Sequence, residues 1–176
     1  VIGALALTLL ISWKLKLNYA LGAIVGLLHD VLITLGLLAM MGKEIDLNII
    51  AALMTLVGYS LNDTIIVYDR IRENLQNQPE DNPAPLADII NLSVNQTLGR
   101  TIMTSATTLI AALSLTILGG GAIHDFALTM SLGVFIGTFS SVFVSNPILL
   151  LLGDTRQYMV ARKKVEYERP GEHGVV

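Results

Sequence analysis

Two carboxylic acids lie deep inside long apolar stretches of this 176-residue chain, and they are the residues best suited to chemistry. Asp63 belongs to the string GYSLND, and Asp30 follows His29 in the middle of an earlier stretch. A charge near the centre of a bilayer costs roughly 3 kcal/mol, so it needs a partner, a water path or a proton. Burial favours the neutral carboxyl and a nearby cation favours the charged one, so a group between the two can exchange protons. Proton handling is therefore the functional hypothesis for Asp63, and a structural hydrogen bond at a helix crossing is its alternative.

Arg100 is the candidate counter-charge for Asp63. It begins a later apolar stretch, at the same expected end of the bundle as Asp63. A guanidinium stays protonated and can bind a carboxylate through two N–H groups, although an arginine at this position can also anchor its helix at the membrane surface. Asp30 is a third candidate for the proton relay, and a polar contact between subunits is equally open for it. Three further residues are candidates for polar support: Ser60, Asn62 and Thr104.

The chain lacks the residues that several other kinds of chemistry require. The chain has no cysteine, which excludes disulfides and thiolate catalysis. Its three histidines form no helical i, i+4 pair, so we expect no metal site. Neither a phosphate loop nor a dinucleotide-binding string is present. We therefore expect no catalytic residue, no metal and no cofactor, with a proton gradient as the energy source. One charge crossing 100 mV supplies about 2.3 kcal/mol.

The composition indicates that these residues are carried by membrane helices. Charged residues make up only 14% of the chain and the mean hydropathy is +0.65, whereas soluble domains have about 25% charged residues. Four apolar stretches are long enough to cross a bilayer, which takes about 20 residues as helix. They cover residues 17–41, 47–69, 100–121 and 126–152. None has the strict alternation of a barrel strand, so the sequence predicts an all-α, polytopic transmembrane helix bundle. Four glycines in two small-xxx-small pairs are expected to allow close helix packing: Gly22, Gly26, Gly133 and Gly137.

The rest of the chain sets the expected boundaries and orientation. Residues 1–12 are apolar but too short to cross, so we expect one truncated span before the four full ones, within a bundle of residues 1–153. A loop at about 70–99 is expected to include a surface helix after Pro85, with a solvated linker as the alternative, and 154–176 form a charged tail. Alternating spans put ten of the eleven basic residues on one side, which predicts a cytoplasmic loop and C-terminus.

Several strings in these helices resemble a known family. They are 28–31 (LHDV), 58–74 (GYSLNDTIIVYDRIREN), 91–105 (NLSVNQTLGRTIMTS) and 131–147 (SLGVFIGTFSSVFVSNP). Together they resemble the SecF branch of the SecD/SecF protein-export family, which shares its architecture with the resistance-nodulation-division transporters. The resemblance implies six spans, of which the first, together with a periplasmic domain, would be absent from this chain.

The resemblance also implies a function and partners. A SecF-like subunit would work with SecD in the bacterial inner membrane, after the SecYEG channel, and use the proton-motive force to pull exported preproteins across. YajC and YidC are further candidate partners; membrane lipid is expected, and nucleic acid is not. Asp63 and Arg100 match the proton-pathway residues of the family. Two alternatives stay open: a non-catalytic scaffold of the export complex, and a small-molecule or lipid exporter of the related transporter superfamily.

Overall fold

A computed structural model describes residues 17–79 and 84–151 of the chain. The expected truncated span at 1–12 and the charged tail at 154–176 lie outside the described residues. The described part forms five helices, numbered here in chain order. They are α1 (Leu17–Met40), α2 (Leu47–Gln76), α3 (Leu86–Leu118), α4 (Ala122–Phe143) and α5 (Ser145–Leu151).

In the described part of the chain, four helical stretches are long and apolar enough to cross a membrane. They are Tyr19–Met40, Leu47–Gln76, Leu86–Leu118 and Ile123–Leu151. Residues 17–79 and 84–151 contain no β-strand, and the predicted all-α helix bundle is confirmed. Helices α2 and α3 run beyond the apolar stretches that the sequence marked, since α2 continues to Gln76 and α3 begins directly after Pro85. Proline suits this position because its fixed φ matches a helix start.

The connection between α1 and α2 is a tight turn. Gly42 has a φ of +68°, a backbone conformation that glycine adopts without a steric penalty. The N–H groups of Gly42 and Lys43 bond back to carbonyls in the last turn of α1. Asp46 then caps α2, because its carboxylate accepts the Ile49 N–H at 2.9 Å and the Asn48 amide at 2.7 Å. These hydrogen bonds hold the pKa of Asp46 below its usual value, and the bond from the Ile49 N–H has the largest effect.

The last apolar stretch, predicted from 126 to 152, is divided in two at Val144. Pro147 explains the break, since it has no N–H to give to the carbonyl four residues earlier and its ring crowds that turn. The side-chain amide of Asn146 compensates locally: its Nδ2 donates to the Ser141 carbonyl at 3.1 Å and the Val142 carbonyl at 3.2 Å. A side chain at the break therefore satisfies two of the backbone carbonyls beside it.

Helices α2 and α4 form the centre of the bundle. Each packs against the other and against both α1 and α3. Along α2, one buried apolar cluster includes Leu56 and the other includes Val67 and Tyr68. Three buried polar residues, Ser60, Asp63 and Thr64, lie on α2 between Leu56 and Val67. The fold thus surrounds a short polar segment of α2 with apolar packing on both sides.

Candidate functional site

The helical period of α2 places Asp63 on its buried face. Residues spaced three and four apart share a face, and Ser60, Asp63 and Val67 are all buried. Asp63 is only 3% exposed, and its Oδ2 has no hydrogen-bond partner among the described residues. A buried carboxylate oxygen without a partner is costly, so this group is suited to carrying a proton or to receiving a partner from outside.

Helix α3 supplies the neighbours of Asp63. The Ser105 hydroxyl acts on the carboxyl as a hydrogen-bonding group, and the Arg100 guanidinium attracts it by charge. The Tyr59 hydroxyl, from α2, donates to Ser105 Oγ at 3.2 Å. Asp63 therefore lies where α2 contacts α3. Ser105 of α3 interacts with two residues of α2, Asp63 and Tyr59.

Arg100 and Asp63 are not joined by a direct ion pair. The described residues form three ion pairs within the 4.0 Å limit, and none includes either residue. Arg100 is exposed, and an arginine carries five donors that can serve a partner elsewhere. The structure thus shows no ion pair between the two residues, and the relay that the sequence predicts for them stays a prediction.

Asp30 has a different environment, at the junction of three helices. It is fully buried, its Oδ2 accepts a hydrogen bond from Ser60 Oγ of α2 at 2.5 Å, and its Oδ1 lies 3.2 Å from His29 Nδ1. Gly137 of α4 lies against the same oxygen, because a methyl group there would come within 3.4 Å of Oδ2. Asp30 therefore links α1 to α2 and is packed directly against α4.

The other two candidates for polar support do not reach Asp63. Asn62 and Thr104 are both exposed. The Thr104 hydroxyl donates to two carbonyls of its own helix, those of Arg100 at 3.1 Å and Thr101 at 3.0 Å. Of the three residues grouped with the relay for support, Ser60 alone is buried, and it bonds Asp30 rather than Asp63.

The four glycines lie at helix contacts. A methyl group at Gly22 would collide with the Tyr68 hydroxyl, one at Gly26 with the Ser145 hydroxyl, and one at Gly133 with the Leu56 side chain. Gly137 has the contact with Asp30 described above. Each glycine thus makes room for a particular neighbour, as close approach between membrane helices requires.

One polar contact was missed by sequence reasoning. The Tyr68 hydroxyl donates to the Ser145 carbonyl at 2.8 Å, and both residues are fully buried. Tyr19 packs edge-on against the Tyr68 ring, with ring centroids 5.4 Å apart. The available signal was Pro147, since a helix break leaves carbonyls that need donors. Within the part of the chain that the structure describes, no three acidic or histidine side chains are grouped so as to hold a metal ion.

The family model "Protein export membrane protein SecD/SecF, C-terminal" matches residues 1–155. The chain belongs to the SecD/SecF family. The resemblance that the sequence strings indicated is thereby confirmed, and the match includes Asp30, Asp63 and Arg100.

Curated proteins with similar sequences are SecF subunits. The protein translocase subunit SecF of Vibrio alginolyticus is 43% identical over 159 residues, covering 90% of this chain and 50% of that protein. That of Magnetococcus marinus is 49% identical over 161 residues, covering 92% and 51%. Thus the chain spans about half the length of the curated relatives it matches.

Two crystal structures of SecDF have the same fold. One, in a super-membrane-facing form, is 40% identical with a TM-score of 0.79 and covers 92% of this chain and 22% of that one. The other, a translocon-associated membrane protein from Thermus thermophilus, is 41% identical with a TM-score of 0.78 and covers 82% and 20%. This chain is accordingly a multi-pass membrane protein with a SecDF-like helix bundle.

Proposed function

We propose that this chain is the membrane-embedded half of a SecF-type subunit, which helps to move proteins across the bacterial inner membrane. Its relatives are named protein translocase subunits, and its fold matches SecDF, described as translocon-associated. We further propose that SecD is its direct partner, that SecYEG delivers the exported preprotein, and that YajC and YidC belong to the same assembly. The basic loop and tail would then face the cytoplasm.

The energy source in this proposal is the proton gradient, and Asp63 is the group that takes up the proton. The observation that carries the proposal is a buried carboxylate with one unpartnered oxygen at the α2–α3 contact, next to the charge of Arg100. A carboxylate in this place attracts Arg100, whereas a protonated carboxyl does not. Uptake of one proton therefore changes the attraction between two helices, which is the usual form of a charge-driven switch.

Polar contacts between α2 and α3 determine how these two helices respond to the change of charge. Outside the apolar stretch, α2 and α3 are joined by polar contacts, with Arg70 Nε donating to Gln96 at 2.7 Å and Asn74 donating to Ser93 at 2.8 Å. These links hold one end of the helix pair while the charge changes at Asp63. Loss of the attraction then lets α3 pivot about that end, and the motion passes to whatever the longer protein attaches to the spans.

The test uses the full-length subunit with its partner in sealed membrane vesicles that export a preprotein. Asp63→Asn keeps the shape and one oxygen of the side chain but cannot bind a proton. We expect the part of export that depends on the gradient to be lost. Asp125→Asn is the matched control, because Asp125 is half-buried at the start of α4 and paired with Lys43. We expect it to export normally.

The same experiment separates the alternatives. If export by the Asp63→Asn variant still responds fully to the proton gradient, the proton-driven function is wrong and a scaffold subunit is favoured. Extrusion of a small molecule or lipid without any preprotein would favour the exporter instead.

A further inference from the structure

A line of buried polar groups follows one face of α1, and we call it the α1 seam. It is defined by four residues of α1 at four-residue intervals and by the groups that face them. Those residues are Gly22, Gly26, Asp30 and Thr34. Residues four apart share a helix face, and 12 residues rise about 18 Å along the axis. The seam therefore extends through more than half of a bilayer core about 30 Å thick.

Side chains of α2, α4 and α5 face the seam at successive turns. The Tyr68 hydroxyl lies against Gly22, and the hydroxyls of Ser145 and Ser140 lie against Gly26. The Ser140 hydroxyl also donates to the Gly26 carbonyl at 3.4 Å. One turn further along, Ser60 donates to Asp30. Oxygen atoms thus follow one another along the line, with Asp30 near its middle.

Two hydroxyls of the seam have no hydrogen-bond partner among the described residues. Ser145 Oγ lies on one side of Asp30 and Thr34 Oγ1 lies one turn beyond it on the other, and both residues are fully buried. Nearly all buried polar groups in proteins are satisfied by protein or by ordered water. Each of these two hydroxyls, on the same line as a carboxylate, is a site where a bound water would supply the missing hydrogen bond.

The surroundings of Asp30 contain little positive charge. Among the described residues the one basic side chain within the 4.0 Å ion-pair limit of Asp30 is that of His29, which is 34% exposed. Facing Asp30 are Ser60 from α2 and Gly137 from α4, neither of which carries a charge. Along the chain, the titratable residues closest to Ser60 on α2 are Tyr59 and Asp63, and those of α4 are His124 and Asp125 at its first turn. Asp30 is thus fully buried, and its neighbours are one hydroxyl, one imidazole and a glycine.

We propose that the α1 seam binds a short chain of water molecules and that Asp30 is a second proton-binding group, served through the interior of this chain rather than through the α2–α3 contact at Asp63. The proposal rests on the proton-driven function above and deepens it. A proton leaves a protonated water and binds the Asp30 carboxylate, which becomes neutral, and the reverse step returns it to water. Each water or hydroxyl on the way accepts one proton and gives up one, so the chain is unchanged afterwards.

Protonation of Asp30 also changes a contact between helices. While Asp30 is charged, the Ser60 O–H donates to it, and this bond joins α1 to α2. When Asp30 carries its own proton, the carboxyl becomes a donor and the bond between the helices is rearranged. The second site therefore acts on α1, whereas Asp63 acts on α3.

Infrared difference spectroscopy of the full-length complex in proteoliposomes, between basic and acidic buffer, tests the proposal. A carboxylic acid that gains a proton adds a C=O stretching band. We expect one such band to be lost in Asp30→Asn and a different one in Asp63→Asn, while Asp125→Asn keeps both. Ser60→Ala, which leaves the carboxyl in place, is expected to keep the Asp30 band and shift its frequency.

The outcomes decide the two proposals separately. If no band is lost in Asp30→Asn and none shifts in Ser60→Ala, Asp30 does not bind a proton and the seam proposal is wrong, whatever Asp63 does. Loss of the Asp63 band and of gradient-driven export in Asp63→Asn would still support the proposed function. In heavy water the Asp30 band must shift as quickly as the Asp63 band, and a band that does not shift would rule out the water chain.

Discussion

Alanine substitutions at two helical glycines are expected to differ clearly in their effect on stability. Gly133 lies on the face of α4 that meets α2, and a methyl group there would collide with Leu56, at 2.7 Å from its Cδ1 and 3.0 Å from its Cγ. Leu56 is fully buried. Gly36 is also inside a helix, α1, but a methyl group there would have no heavy atom within 4 Å. The pair thus tests close packing with the same chemical change.

The expected magnitude follows from two terms. Alanine is a better helix former than glycine by about 1 kcal/mol, and this gain applies to both positions. Crowding a methyl group into a packed contact costs roughly 1–3 kcal/mol, and this cost applies at Gly133 alone. The helix term cancels in the comparison. Gly133→Ala should therefore be about 1–3 kcal/mol less stable than Gly36→Ala, and Gly36→Ala should equal or exceed the unchanged chain.

Reversible unfolding of the full-length subunit in mixed micelles of mild and denaturing detergent measures this difference. The free energy of unfolding is compared among the unchanged protein and the two variants under the same conditions. If Gly133→Ala is as stable as Gly36→Ala, α4 does not approach α2 as closely as described, and the packing argument for the site fails.

Three further predictions use the same unfolding measurement. Tyr68→Phe should lower the free energy of unfolding by roughly 0.5–1.5 kcal/mol, because the buried Ser145 carbonyl loses its hydrogen bond; an unchanged value would contradict the contact. Asn146→Ala should cost about 1–3 kcal/mol, since two carbonyls at the break of the last span lose their donor, and a neutral result would show that the break needs no side-chain support. Asp46→Ala should destabilise at neutral pH. Its folded-state pKa is lowered by the Ile49 N–H, so the stabilisation is complete above the unfolded pKa of about 3.9 and lost as the pH falls below it; a pH-independent effect would contradict this cap.

The sequence predicted the helix class and the approximate spans because bilayer thickness imposes a length on apolar segments. It did not predict that α4 ends at Phe143, although Pro147 was visible, because apolar composition alone continued through the break. A helix after Pro85 was expected from the sequence, and it forms the first part of α3. The polar contacts of this part with the end of α2, such as that of Asn74 with Ser93, could not be predicted from the sequence.

The candidate site could be predicted in part. Depth in a span marked Asp30 and Asp63 as unusual, since buried carboxylates are costly. Which helix faces meet is a property of the folded bundle, so the sequence alone gave no reason to pair Ser60 with Asp30 rather than with Asp63. For the same reason the sequence indicated Arg100 as a counter-charge for Asp63 but could not show that the two residues form no ion pair among the described residues.

Proton movement during export tests the central claim most directly. The full-length complex is reconstituted in vesicles with a pH-sensitive dye, and proton flux is recorded while a preprotein is exported along an imposed gradient. The account predicts flux that requires export in the unchanged protein and in Asp125→Asn, and no such flux in Asp63→Asn. Export-coupled flux of normal size in Asp63→Asn would contradict the assignment of Asp63 as the group that carries the proton.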